Sequence, residues 1–361
     1  MSTFLVLFRL LLIGTCFVLS SLVNSSLAQW VTNGVAVSTA SGGQASPTIA
    51  SDGSGGAIIT WQDFRSGTST DISAQRINAS GVVQWTANGV AISTASGGQV
   101  SPTIVSDGSG GAIITWGDQR SGTGTDIYAQ RINASGVVQW TANGVAISTA
   151  SSEQKFPLIV SDGSGGAIIT WEDWRAGTNS DIYAQRIDAS GVVQWTANGA
   201  PISTASGSQY YPTIVSDGSG GAIITWQDRR SGTDWDIYAQ RINAGGMVQW
   251  TANGVAISTA IGEQWYPRIV SDGSEGAIIT WVDYRNGTAN PATIYAQRIN
   301  ASGVVQWMAN GVAVSTESGG QDSPSIVSDG SGGAIITWED SRSGTNIDIY
   351  AQRINASGVV Q

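Results

Sequence analysis

From Trp30 onward the apolar and polar positions repeat as one unit, restarting at Trp30, Trp85, Trp140, Trp195, Trp250 and Trp307, a step of 55 residues in all but the last interval. The second copy shows the pattern. Pro102–Ser106 is a short β-rich run, and Asp107-Gly-Ser-Gly-Gly111 is a turn. Ala112–Trp116 is dense in β-branched and aromatic residues, as a strand requires. A Gly/Ser/Thr loop from Asp118 to Thr125 leads to Asp126–Ile132, which alternates as a strand. Asn133–Gly136 is a tight turn, and Val137–Thr149 gives a fourth strand broken at Asn143-Gly144. DG and NG pairs between such runs are hairpin signals, and no window carries the 3.6-residue apolar period of a helix. Repetition at this period means a solenoid, a propeller or an array. Four antiparallel strands in each of six units predict an all-β fold, a six-bladed β-propeller. A β-solenoid is the alternative, but its coils are shorter and it needs capping ends, which this sequence lacks.

The last copy stops at Val359-Val360-Gln361, inside its fourth strand, and the first begins at Gln29-Trp30. The expectation is a ring closed by the N-terminal strand Trp30–Thr39, which completes the blade begun at Pro324. Closure would remove open sheet edges. A fragment ending at a repeat boundary is the alternative.

Residues 1–28 stand outside the repeats. Arg9, the apolar run Leu10–Val18 and the small-residue end Ser26-Leu27-Ala28 have the layout of a secretory signal peptide. Its apolar core is shorter than the ~20 residues of a membrane span, and Thr15 before Cys16 is unlike a lipoprotein signal. The expectation is a secreted or periplasmic propeller of residues 29–361, with no membrane insertion after cleavage. Cys16 is the only cysteine, so the core alone would hold the exported domain. The chain has no histidine, which excludes Ser-His-Asp and Cys-His catalysis and His-based metal sites. Loss of Arg9 takes the net charge from −10 to −11, a field that repels nucleic acid and anionic membranes.

In the third copy, Pro157, Asp162-Gly163, Trp171, Arg175, Gly177 and Asp181-Ile182-Tyr183 follow an order that resembles the Pro-Asp propeller repeats of TolB-like proteins. The resemblance covers all six copies and implies a six-bladed ring. The chain departs from it at Ser161, in a second strand that enters three residues later, and in the stretch Val192–Gly199. It therefore bears on fold and not on activity. Sialidase propellers fit poorly, because Ser51 and Asp52 are adjacent where the Asp-box separates them.

Recurrent residues read as structural, since a specific site rarely occurs six times in one ring. Trp-x-Asp-x-Arg, from Trp61/Asp63/Arg65 to Trp338/Asp340/Arg342, puts three side chains on one strand face and reads as a blade-to-blade lock. The arginines of Ala-Gln-Arg-Ile, Arg76 to Arg353, read likewise, and Gln44 to Gln321 are expected to bond the connecting loop. The Asp-Gly-Ser-Gly-Gly turn lacks the spaced carboxylates of a calcium loop. Asn78-Ala-Ser80 and its equivalents read as hairpin turns more than glycosylation sites.

The copies differ in two segments, one before the blade proline and one after the second strand, the latter including an insertion around Asn290-Pro291. In a propeller these lie on one face, where loops on a rigid scaffold carry recognition. Their aromatics bunch in blades three to five: Phe156, Trp174, Tyr210, Tyr211, Trp235, Trp265, Tyr266 and Tyr284. An exposed aromatic arc marks binding, and Trp and Tyr anchor both sugars and proteins. The first expectation is a secreted, monomeric binding module without cofactor or metal. It would hold a glycan or an extended protein, with sugar stacking on Trp174 and Trp265 and with Glu153, Asp234 and Glu263 accepting from hydroxyls. The alternatives are a glycoside hydrolase or lyase with paired carboxylates among Glu153, Asp234, Glu263 and Asp322, and a passive structural or surface repeat protein.

Overall fold

A computed structural model describes residues 30–286 and 291–361. The signal peptide expected over residues 1–28 and the insertion residue Asn290 lie outside the described residues. The chain is all-β and folds as six blades of a β-propeller, with no helix among the described residues. Blade three is representative, with strands Gln154–Ser161, Ala167–Asp173, Asp181–Ile187 and Ala200–Ser203 paired antiparallel in sequence order. The first strands of all six blades line a central channel of about 550 Å³, flanked by Thr103, Leu158, Thr213 and their equivalents.

The core lies between blades. Ile58, Ile72, Ala74 and Ile92 of blade one meet Ala112, Ile114, Trp116 and Ile132 of blade two, all buried. A middle strand is therefore covered on both faces, which is why Ala-Ile-Ile-Thr-Trp reads as a near-continuous apolar run. The fourth strand breaks where the sequence indicated, with Asn198 and Gly199 at φ +61° and +90°. Glycine is required there because a Cβ would lie 2.6 Å from the Trp171 ring.

The Trp-x-Asp-x-Arg element joins blades through its tryptophan, which packs on the neighbouring blade as expected, whereas its Asp–Arg bonds lie within a blade, which corrects the expectation that they join neighbours. Trp171 Nε1 donates to Asp173 (2.8 Å), and Arg175 binds Asp173 and reaches the Asn198 carbonyl of its own fourth strand (2.7 Å). The arginine lies flat over Tyr183, 3.8 Å from the ring centre, a cation–π contact. The polar link between blades comes from the other arginine. Arg186 pairs with Asp162 and donates to the Ala244 carbonyl of the next blade (3.2 Å), which also accepts from Trp195 Nε1 (3.0 Å). Asp162 is saturated by this arginine and by the N–H groups of Ser164 and Gly166, so the turn is a braced hairpin. Gln154 bonds the connecting loop, as expected, through the Ala150 and Ser152 carbonyls.

The expected ring closure is not made. Blade six has three strands, Gln321–Ser328, Ala334–Asp340 and Asp348–Ile354, and residues 30–43 carry none. Instead Trp30 Nε1 donates to Ala79 O (3.2 Å) and Thr39 N to Asn88 Oδ1 (2.8 Å), so the segment lies on blade one as each fourth strand lies on the blade that follows it. A Cβ at Gly34 would meet nothing within 4 Å, whereas at its equivalents it would run into a buried tryptophan ring. The faces that would meet are bare: Ile349 is 73% exposed while its equivalents Ile72, Ile127, Ile182 and Ile237 are fully buried.

Candidate functional site

Each first strand carries a β-bulge just before the central channel. In blade four the pairing skips from Tyr210↔Gln227 to Thr213↔Thr225, leaving Tyr211 and Pro212 unmatched. The residue before each blade proline is left-handed: Ser46, Ser101, Phe156, Tyr211, Tyr266 and Ser323 all have φ between +50° and +54°. This backbone is rare for bulky residues and costs about 1–2 kcal/mol. A bulge re-aims its side chain, and here it turns them toward the channel mouth. The mouth is a funnel of about 480 Å³ whose rim includes Ser46, Ser101, Phe156 and Tyr211, with Arg268 on its wall.

The aromatics expected from the sequence come together. Trp174 packs on Tyr210 (ring centres 5.7 Å apart) and Tyr210 on Trp235 (5.4 Å). Tyr210 also neighbours Tyr211 (6.3 Å), which meets Tyr266 edge-on (5.5 Å). Tyr266 leads to Trp265 (6.3 Å) and Trp265 to Tyr284 (4.8 Å). Seven rings thus form one unbroken ladder across blades three to five, and Phe156 stands beside Tyr211 on the funnel rim. Exposure divides them. Phe156, Tyr211 and Tyr266 face solvent at 55%, 50% and 39%, while the tryptophans are half-buried beneath. The Trp174 Nε1 is sealed without an acceptor. The most exposed of these rings are thus the three before the prolines, with Trp174 packed beneath Tyr210 and Trp265 beside Tyr266.

The two variable segments do share a face: Trp174 N donates to Glu153 O and Tyr284 N to Glu263 O, both at 2.8 Å. The carboxylates expected to meet hydroxyls are partly committed. Glu263 accepts from Trp235 N (2.9 Å) and Trp265 Nε1 (3.3 Å), holding two rings of the ladder. Asp234 accepts from Gly262 N (3.2 Å). Glu153 faces Lys155 (3.4 Å) at the surface, where such a pair is worth little. Asp322 is spent on the N–H of Ser323 (2.6 Å).

One carboxylate was missed. Glu172 is 3% exposed and accepts from Tyr211 N (2.8 Å), pinning the left-handed residue at the centre of the ladder. Burial raises its carboxyl to about 7, against the lowering pull of that N–H and of Lys155. The signal was present in the sequence, since the position after the second-strand tryptophan reads Gln62, Gly117, Glu172, Gln227, Val282 and Glu339. Gln227 makes the same bond to Tyr266 N (3.0 Å) without a charge. Glu172→Gln is therefore expected to keep the site. The folded chain holds this proton more tightly than the unfolded chain, so wild-type stability falls as pH rises from about 4.5 to about 7. The variant should be the more stable at pH 8 and equal to wild type at pH 4, as urea unfolding at the two pH values would measure. Asp181 and Asp236, raised to about 6 mainly by burial and then by neighbouring Asp173 and Asp228, slope the same way in both proteins and cancel in the difference.

Two cations also stand apart. Each of the twelve recurrent arginines is in an ion pair. Arg229 and Arg268 are in none among the described residues. Arg229 lies 5.5 Å from the Trp235 ring centre, and Arg268 borders the funnel.

The fold and this face define a β-propeller with an arc of clustered aromatic rings across blades three to five. No family model matches the chain, and no curated protein matches it. Solved structures do. An ulvan lyase, a polysaccharide lyase bound to -[GlcA(1-4)Rha3S]-, is 12% identical over 90% of this chain and 86% of its own, with a TM-score of 0.53. A protein of unknown function from Dyadobacter fermentans is 12% identical over 86% of this chain and 94% of its own (TM-score 0.45). An alpha-L-arabinanase from Penicillium chrysogenum is 11% identical over 88% and 94% (TM-score 0.43). At these identities the likeness is one of fold.

Proposed function

We propose that the chain is a secreted module that binds a polysaccharide carrying acidic groups across the arc of blades three to five. The carrying observation is the unbroken aromatic ladder, with two of its rings, Tyr211 and Tyr266, and the adjoining Phe156 presented to solvent by strained backbone. A run of flat rings matches the apolar faces of successive sugars. The unpaired guanidiniums of Arg229 and Arg268 suit carboxylate or sulfate substituents, which arginine binds in a bidentate fork. The ulvan lyase of the same fold, seen with a glucuronate and sulfated-rhamnose chain, supports this choice of ligand.

Titration of the purified chain with glucuronate-containing and neutral oligosaccharides of equal length tests it. The acidic ligand should bind more tightly, and the advantage should shrink with salt. Arg229→Ala with Arg268→Ala should remove the advantage, a loss of about tenfold or more, and leave neutral binding unchanged. Equal binding of both ligands by wild type would refute the acidic reading.

A second reading, cleavage of that polysaccharide, is favoured by one feature: Glu172 lies buried beneath Tyr211 of the arc with its carboxyl raised to about 7, a range suited to a general acid. Release of reducing ends or unsaturated products that Glu172→Gln abolishes, with binding intact, would establish it. Binding without products at any pH from 4 to 9 would exclude it.

A further inference from the structure

The residue after each blade proline stands where the funnel narrows into the central channel. Thr48, Thr103, Leu158, Thr213 and Arg268 border both spaces and so form the neck. They lie two residues along the strand from the rim positions Ser46, Ser101, Phe156, Tyr211 and Tyr266. Among the described residues, Arg268 is the one charged side chain bordering either space, in a chain of net charge −10. The walls around it are apolar, with blade prolines such as Pro157 and Pro212 above and isoleucines such as Ile159 and Ile214 below. A guanidinium keeps its charge at any working pH, and low-dielectric walls focus its field.

Arg268 also breaks the bonding pattern of the neck. Thr48 and Thr103 donate through Oγ1 to the proline carbonyl of the next blade, Pro102 O (3.3 Å) and Pro157 O (3.1 Å). The carbonyl that Thr213 would reach in the same way, Pro267 O, accepts instead from Arg268 Nη1 (3.4 Å), and Thr213 Oγ1 is sealed with no partner. An orphaned hydroxyl is a cost to folding, so threonine at position 268 would serve the fold better than arginine does.

The rim is one-sided. Phe156, Tyr211 and Tyr266 offer rings on blades three to five, while Ser46 and Ser101 hold the same positions on blades one and two. A sugar chain with one unit in the funnel therefore finds stacking surface in one direction only. The funnel, about 480 Å³, falls within the roughly 300–1,000 Å³ of small-molecule sites. We infer that it is an end-group pocket, an inference that rests on the polysaccharide reading above. One terminal acidic sugar stands in the funnel with its carboxylate or sulfate on Arg268, and the rest of the chain leaves over Tyr211 and Tyr266.

Calorimetric titration with four tetrasaccharides tests this. Three carry a single glucuronate, at the non-reducing end, at the reducing end or inside, and the fourth is neutral. One of the two end-labelled chains should bind about tenfold or more tighter than the chain labelled inside. Arg268→Thr should abolish that preference. The variant restores the residue that blades one, two and four already carry at the neck, so its fold should be intact. Arg229→Ala, beside Trp235 and outside the funnel, should leave the preference unchanged. Equal binding of the internally and terminally labelled chains, or a preference that survives Arg268→Thr, would overturn the end-group pocket and leave the polysaccharide reading standing. Inorganic sulfate binding as tightly as free glucuronate would make the neck a bare anion site and overturn it as well. Binding of none of the four tetrasaccharides would overturn both readings.

Discussion

Replacing Phe156, Tyr211 and Tyr266 together by serine should weaken binding of a glucuronate-containing oligosaccharide by about a hundredfold, equivalent to about 3 kcal/mol for three stacking rings. The melting temperature should stay within a few degrees of wild type. The design has an internal precedent. Ser46, Ser101 and Ser323 occupy the same bulge position with the same left-handed φ, so the backbone already accepts serine there three times. The rings removed are the most exposed of the arc, so little packing is lost. Trp174→Ser with Trp265→Ser should cost affinity too, but with a lower melting temperature, because those rings support Tyr210, Tyr266 and Tyr284. Calorimetric titration beside thermal unfolding separates the two outcomes. Wild-type affinity in the triple serine variant would remove the rings from the site.

The largest effect on stability should come from Ile182→Lys. Ile182 is fully buried between blades three and four, against Ala222, Ile224 and Trp226. An unpaired ammonium there costs more than about 4 kcal/mol, a large share of the 5–15 kcal/mol typical of a folded domain. Ile349 is the equivalent residue of blade six, and at 73% exposure its change to lysine should fall within about 0.5 kcal/mol of neutral. Thermal unfolding of the two variants should therefore differ sharply despite identical local sequence. Equal destabilisation would mean that blade six is covered in solution. Coverage by a second copy would make the Ile349→Lys loss depend on protein concentration, and coverage by its own chain would not.

Much of this architecture was legible in the sequence because six copies of one pattern report the same strands six times. The breaks at Asn143-Gly144 and the turn at Asp107-Gly108 were visible from turn chemistry alone, as was the grouping of aromatics on one face. Three features were not. Strand periodicity cannot tell whether Asp173 and Arg175 bond within a blade or across blades, since both lie on one strand face in either case. The bulge before the prolines arises from pairing geometry, so no order of exposure among tryptophans and tyrosines is readable from residue pattern alone. Glu172 sits inside an otherwise constant strand, and only the folded pairing shows that its carboxyl reaches Tyr211 N.

The most direct test of the central claim is a crystal structure of the chain with a glucuronate-containing hexasaccharide bound. Sugar rings stacked on Tyr211, Tyr266 or Phe156, with an acidic group on Arg268 or Arg229, are the predicted result. A hexasaccharide seated on another face, or on the arc with its acidic groups turned away from both arginines, would contradict the account.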